Sequence, residues 1–585
     1  MSRPNSNAKI FQRLLGLTRP YRHALWAGIL LAILLAPAAA LRPLVIQNMV
    51  DHYIYQFNLA GIERMAVLLL GLLLAEAVMR YLFIYTSNWL AQSVVKDLRV
   101  KVFEHVTHLR LRYFDQTPIG TTTTRTINDV ETIATVFSQG ALTIVADVFM
   151  VIAALTVMFV SSWQLAWICL LVTPFLLLAT YYFKEGIKKA FQRVRALLSK
   201  MNAFLQEHIS GMRIVQIFTA EEQELEKFKA INQDYTRANL KALFYYAVFF
   251  PLIEIFSAIA LGLMLWWGAR AVLQQQVSLG ALVAFPLYLN MLFRPMRFLA
   301  DRFNTVQMGL IAAGRVFTLL DRQEQIPNTG NLPAEQLQGE IEFKRVSFAY
   351  DQENYVLREI SFHVLPGETV ALVGSTGSGK TTISNLLMRF YDASEGHIYL
   401  DGTDIKAYEL KSLRSRMAMV LQDVFLFTGS VFENITLRNP AITQEEVEQA
   451  ARMIGAHEFI MRLPKGYDFQ VMERGARLSV GQRQLISFVR ALVFKPDILI
   501  LDEATSSIDP ESEAVIQYAV EKLIAKRTSI IIAHRLSTIL HADKILVMEQ
   551  GRLIEQGTHQ ELLQKKDGHY KKLYETQFAE ATQKL

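Results

Sequence analysis

Gly374-Ser375-Thr376-Gly377-Ser378-Gly379-Lys380-Thr381 follows the apolar run Glu368-Thr369-Val370-Ala371-Leu372-Val373 and precedes a helical stretch from Thr382 to Arg389. The octet fits G-x-x-x-x-G-K-[ST], a loop whose glycines let successive backbone N–H groups turn inward on a nucleotide's phosphates. The helix behind it would aim its positive end at them, Lys380 would reach the outer phosphates, and Thr381 would offer a hydroxyl to Mg²⁺. Glycine and serine alone can make an ordinary loop. A strand before and a helix after are the context that phosphate binding requires, so the C-terminal part reads as a soluble α/β P-loop domain.

The chain has 585 residues, too many for one core at roughly 150 residues per domain. A mean hydropathy of +0.22 with only 19% charged residues says that part of it is not made for water. The pI is about 9.0, but the basic residues are spread out, with no basic tract interleaved with aromatics. They suit anionic lipid headgroups better than nucleic acid. The single cysteine, Cys169, lies in an apolar run, which excludes an intrachain disulfide or a cysteine-based metal site.

About six stretches are long enough to span the roughly 30 Å of bilayer hydrocarbon: residues 24–46, 64–89, 137–160, 163–183, 243–267 and 277–300. The first is too long for a signal-peptide core and no small-residue cleavage site follows it, so the chain is expected to stay in the membrane. Arg3, Lys9, Arg13, Arg19 and Arg22 before the first span, and Lys96, Arg99, Lys101, Lys184, Lys188 and Arg195 in the long segments after the second and fourth, predict that these face the cytoplasm. With an even number of spans, both termini would lie there, in a multi-pass protein of the cytoplasmic (inner) membrane. The two long polar segments keep helical periodicity, so the helices should continue past the bilayer and turn back through short helices. Pro327, Asn328, Gly330 and Pro333 mark a linker. The expected division is a membrane all-α domain of six helices over 1–320, a linker over 321–339 and the α/β domain over 340–585.

Further along stands Leu478-Ser479-Val480-Gly481-Gln482. Six spans, the phosphate loop and this pentapeptide, in this order, resemble an ATP-binding-cassette exporter half-transporter, similar to bacterial multidrug and lipid exporters. The resemblance covers nearly the whole chain. It implies ATP and Mg²⁺ as cofactors, with ATP contacts at Tyr350, the loop from Gly374 through Thr381, Thr382, Gln422, Ser479, Gly481 and Gln482. Tyr350 would stack on adenine, while Thr381, Gln422 and Asp502 would serve Mg²⁺. Glu503, the second of two carboxylates ending the apolar strand Ile498-Leu499-Ile500-Leu501-Asp502-Glu503, would polarise the attacking water, and His534, after the apolar strand Ser529 to Ala533, would contact the γ-phosphate with Lys380. Ser506-Ser507-Ile508-Asp509 resembles the loop that crosses the dimer interface.

In that family the signature residues complete the ATP site of a second cassette, so one chain alone has no finished site. Val480 stands where the family usually has a glycine, adding a β-branched side chain where a phosphate must approach. With Glu503 intact, the pattern resembles the catalytic-glutamate subunit of heterodimeric exporters, and a heterodimer is favoured over a homodimer. Tyr113 to Gly120 and Glu207 to Glu222 resemble the family's two cytoplasmic coupling turns. Glu76, Asp147 and Glu254 are ionisable residues within spans, where unpaired charge is costly; pairing with a basic neighbour is the plain explanation. The aromatic fifth span, with Phe249, Phe250 and Trp266, reads as packing or an interfacial belt as readily as a pocket. The expected function is ATP-driven export of small amphipathic or lipidic compounds by alternating access. The alternatives are a homodimeric lipid flippase and an ATP-gated sensor or regulator that does not pump. A peptide-maturing exporter, with a cysteine-protease domain ahead of the first span, is not expected, and the spans exclude a DNA-repair ATPase of the same class.

Overall fold

The computed structural model describes residues 7–54, 56–323, 326, 330–351, 353–502, 510–533 and 539–582. Two compact units divide it, one of Met1–His108 with Thr117–Arg322 and one of Leu109–Gln116 with Gln323–Leu585.

In the first unit, six helices are long and apolar enough to cross a membrane: Arg19–Ile54, Leu59–Thr107, Ile119–Ser161, Trp163–Ser210, Glu221–Leu273 and Leu279–Leu320. Each far exceeds the ~20 residues that a bilayer demands, so the helices do run on beyond the apolar stretches. The tight turns between them carry their own start signals. Asn58, Ser162 and Ser278 each accept a backbone N–H of the following helix, from Gly61, Leu165 and Ala281, satisfying a donor otherwise orphaned at the helix start. Ala154, Ala166, Ala260 and Ala284 are fully buried where helices meet, and such small residues let backbones approach closely. The intramembrane carboxylates are mostly paired. Glu76 Oε2 lies 3.3 Å from Arg42 Nε and Oε1 lies 3.0 Å from Arg80 Nη2, and Asp147 pairs with Arg302. Glu254 is exposed and has no ion pair among the described residues.

The second unit holds a six-stranded sheet in the order Arg552–Gly557, Lys544–Glu549, Thr369–Gly374, Thr528–Ile532, Ile498–Asp502, Met417–Val420. All neighbours are parallel except the first pair. Parallel strands covered on both faces read as unbroken apolar runs, as Ile498-Leu499-Ile500-Leu501 and Ile530-Ile531-Ile532 do. Ile498, Ile500, Ile530 and Ile531 are fully buried, each contributing about 1.5–3 kcal/mol by leaving water. A four-stranded antiparallel sheet, Tyr355–Val364, Ile341–Ala349, Glu395–Leu400 and Thr403–Asp404, packs beside it. Asp401 fastens the chain ahead of Ile341–Ala349, accepting the N–H groups of Gln338, Gly339 and Glu340 at 2.7, 3.0 and 2.8 Å. The short helix Leu111–Gln116 belongs to this unit, with Tyr113 fully buried.

Two element boundaries differ from the sequence reading. The helix after the phosphate loop is Lys380–Leu387, two residues earlier than expected, because Gly379 at φ +102° already serves as its N-cap. The strand expected at Ser529–Ala533 is Thr528–Ile532.

Candidate nucleotide site

The parallel strand Thr369–Gly374 ends at the phosphate loop, at the carboxyl edge of the six-stranded sheet. Gly374 passes so close to the next strand that a Cβ there would stand 2.2 Å from Met548 O. Gly379 has both reasons to be glycine: a left-handed φ, and a Cβ position 2.5 Å from Leu357. Between them Ser375, Thr376 and Gly377 are exposed, while Ser378 is buried.

Lys380 is only 6% exposed, and its ammonium spans the loop. Nζ donates to Gly374 O at 2.7 Å and to Ser375 O at 2.9 Å, with Ser378 Oγ at 3.5 Å. Burial pushes this ammonium below its ordinary pKa, and the Asp502 carboxylate opposes the shift. A buried cation held by carbonyls faces the exposed loop tip, an arrangement made to receive polyanionic phosphate. The exposed Thr381 hydroxyl lies 3.5 Å from Oδ2 of Asp502, which ends its strand and is buried. Hydroxyl and carboxylate oxygens are the donors that hard Mg²⁺ takes alongside phosphate. Gln422 is exposed two residues past the strand Met417–Val420, whose Val420 pairs with Leu501, so it emerges at the level of the Asp502 end of its neighbour. The segment after it is pinned by buried Asn434, which accepts Phe427 N–H and donates to Phe427 O, both at 2.8 Å.

Tyr350 sits one residue past its strand. Its hydroxyl is 3.2 Å from Thr382 Oγ1 and accepts from Asn385 Nδ2 at 3.5 Å, both on the phosphate-loop helix. Tyr391 meets the Tyr350 ring edge-on, with centroids 5.1 Å apart at 87°. Tyr391 in turn donates its hydroxyl to Asp115 Oδ2 on the helix Leu111–Gln116. Burial first, then that carboxylate, raises its pKa, so it stays a donor at neutral pH. The sequence reading quoted Asp115 but missed Tyr391. The only local signal was an aromatic just past the phosphate-loop helix, in Arg389-Phe390-Tyr391-Asp392.

Ser479 and Gln482 bond to each other rather than to the phosphate loop. Ser479 caps the helix Val480–Val493 in a reciprocal box: its Oγ accepts Gln482 N–H at 3.2 Å, and Gln482 Oε1 accepts Ser479 N–H at 3.0 Å. Arg483 Nη1 holds Leu478 O at 2.9 Å. Val480 is the first helical residue and 45% exposed, without a positive φ. Its β-branching therefore costs no backbone strain here, which removes half of the sequence argument about it; the added bulk remains. Glu503, His534 and Ser506–Asp509 lie outside the described residues. Among the described residues no three His, Cys, Asp or Glu side chains cluster as a metal site.

Comparison with known proteins agrees with this geometry. The family described as ABC transporter transmembrane region matches residues 25–296, and the one described as ABC transporter matches residues 357–506. An uncharacterized ABC transporter ATP-binding protein of Bacillus subtilis, YknV, is 38% identical over 97% of this chain and 94% of its own length. An ATP-dependent lipid A-core flippase of Legionella pneumophila is 37% identical over 98% of this chain and 97% of its own. A putative multidrug export ATP-binding/permease protein of Staphylococcus aureus is 37% identical over 97% of this chain and 100% of its own.

Proposed function

This chain belongs to the ABC transporter family, as an exporter-type half-transporter with a membrane domain and a transport-coupled ATPase domain on one chain, and from that premise we propose that it exports amphipathic or lipidic compounds as one half of a heterodimer. The observation that carries the reading is a six-helix membrane unit on one chain with a unit that brings the phosphate loop and Asp502 together and carries a self-capped signature turn. A turn that satisfies its own cap and leaves Val480 exposed is open to a second copy or a partner. In support of such a partner, the short helix Met212–Ile217 of the second coupling turn exposes Ile214, Ile217 and the following Phe218. The basic segments noted above support an orientation with both termini in the cytoplasm.

In this reading the loop N–H groups and Lys380 bind the β- and γ-phosphates, and Tyr350 takes adenine. Thr381 and Asp502, with Gln422, would hold Mg²⁺, whose charge neutralises phosphate oxygens. Glu503 draws a proton from the attacking water, and His534 steadies the γ-phosphate. Asp115, through Tyr391 and Tyr350, links the first coupling turn to the adenine end of the site.

Val480 favours the heterodimer, since its bulk weakens the site that it offers to a partner, whereas Glu503 keeps this chain's own site competent. A homodimeric lipid flippase is the second reading, supported by the intact Ser479–Gln482 box and the unstrained backbone at Val480. Proteoliposomes holding the chain with its partner should move a fluorescent lipid or amphipathic dye against a gradient in the presence of ATP. Substrate-stimulated ATPase without any net movement would instead support the sensor reading.

A further inference from the structure

Three helices of the membrane unit, Trp163–Ser210, Glu221–Leu273 and Leu279–Leu320, enclose a cavity of about 310 Å³ that ATP chemistry does not use. Each contributes one face at helical spacing. Lys188, Phe191, Gln192 and Arg195 stand at i, i+3, i+4 and i+7 on the first of them. Tyr246 and Phe250 face them from the second: Phe191 meets Tyr246 edge-on at 6.0 Å, and Tyr246 stacks on Phe250 at 6.0 Å.

The first two helices pack against each other along this space, with Ala190 and Val194 buried against Ala242. Gly186 lies so close to the Tyr245 ring that a Cβ would stand 2.6 Å from it. Pro251, next to Phe250, removes a backbone hydrogen bond from its helix.

The charges in the cavity do not balance. Asp301, its one carboxylate, is occupied by the Tyr246 hydroxyl at 3.4 Å. Arg195 Nη1 reaches only the sulfur of Met308, at 3.3 Å. Among the described residues neither Lys188 nor Arg195 has a carboxylate partner. An aromatic wall lined also by two cations suits a small amphipath, and the volume lies at the low end of the roughly 300–1,000 Å³ of small-molecule pockets.

We propose that this cavity is a binding site for an acidic amphipath: one anionic group set on Lys188 and Arg195, and an acyl or aromatic body among Phe191, Tyr246 and Phe250. Placing it at the cytoplasmic ends of the spans rests on the orientation proposed above; the binding itself does not.

The test uses the full chain in phosphatidylcholine nanodiscs with radiolabelled dodecanoate as probe and dodecyltrimethylammonium as its cationic counterpart. Dodecanoate should bind saturably above empty nanodiscs, and dodecyltrimethylammonium should not. The double variant Lys188→Gln/Arg195→Gln should weaken dodecanoate binding by roughly tenfold or more. Asn304→Trp, which fills the cavity and keeps both cations, should weaken it likewise. Retained ATP binding certifies that each variant is folded. Equal binding of dodecanoate to wild type and both variants, or equal binding of the cationic probe, would overturn the site and leave Lys188 and Arg195 as headgroup anchors. A transport failure with this binding intact would strike the exporter reading alone.

Discussion

The phosphate loop and the signature turn are both short glycine-containing segments that lead into helices, yet they are built on opposite plans. The loop is held from within: buried Lys380 ties Gly374 and Ser375, and the glycines fit against Met548 and Leu357. The signature turn satisfies its own cap through Ser479 and Gln482 and presents Val480 to solvent at 45% exposure. On the reading proposed above, one is a binding site in its own right and the other is half of a site that needs another cassette. The difference separates ATP binding, a property of this chain, from turnover, a property of the assembly.

Glu503→Gln breaks that separation most sharply. It should leave ATP affinity intact and lower turnover at this chain's site by about 10²-fold or more, the worth of a positioned general base. Steady-state ATPase with parallel nucleotide binding reads both, and turnover within about tenfold of wild type would place the base elsewhere.

Lys380→Ala acts on the other side of the comparison. Removing the buried cation takes away both the phosphate charge and the ties to two carbonyls, so ATP affinity itself should fall by roughly tenfold or more. Unchanged affinity by equilibrium titration would contradict the loop assignment.

Ser479→Ala should do the reverse, lowering turnover of the assembled transporter while leaving this chain's ATP affinity within about twofold. The lost cap costs about 1 kcal/mol of local stability, visible as a small drop in Tm. A fall in ATP affinity equal to that of Lys380→Ala would erase the distinction between the two segments.

The smallest effect belongs to Tyr391→Phe. It removes one hydroxyl donor to Asp115, worth about 1.5–3 kcal/mol to a charged acceptor, and keeps the ring against Tyr350. Basal ATPase should hold while stimulation by transported substrate declines, and Asp115→Asn, which still accepts the hydroxyl, should retain most of the stimulation. Equal loss of basal and substrate-stimulated ATPase would make the contact merely structural.

The phosphate loop was legible because its chemistry fixes residue type at each position, and the strands around it because burial on both faces leaves runs such as Ile530-Ile531-Ile532. The six spans were legible from apolar length alone. The cap at Gly379 shifted the next helix by two residues, since Lys380 and Thr381 belong to the motif and to the helix at once. Tyr391 with Asp115 was invisible: the two residues are ordinary types, 276 positions apart. The Arg42–Glu76 and Arg302–Asp147 pairs needed the packing of separate helices, whereas Arg80–Glu76 is an i, i+4 pair within one helix. The cavity at Lys188 was hidden for the same reason, although its i, i+3, i+4, i+7 spacing stands in the chain.

The heterodimer proposal meets its most direct test in the ATPase rate of this chain purified alone, set against the same chain co-purified with a partner half-transporter carrying an unsubstituted signature. The lone chain should turn over little ATP, because any self-pair bears Val480 at both sites. The co-purified pair should be active, and Glu503→Gln should silence it. Robust turnover by the lone chain, unaffected by Val480→Gly, would contradict the account and leave a homodimeric exporter in its place.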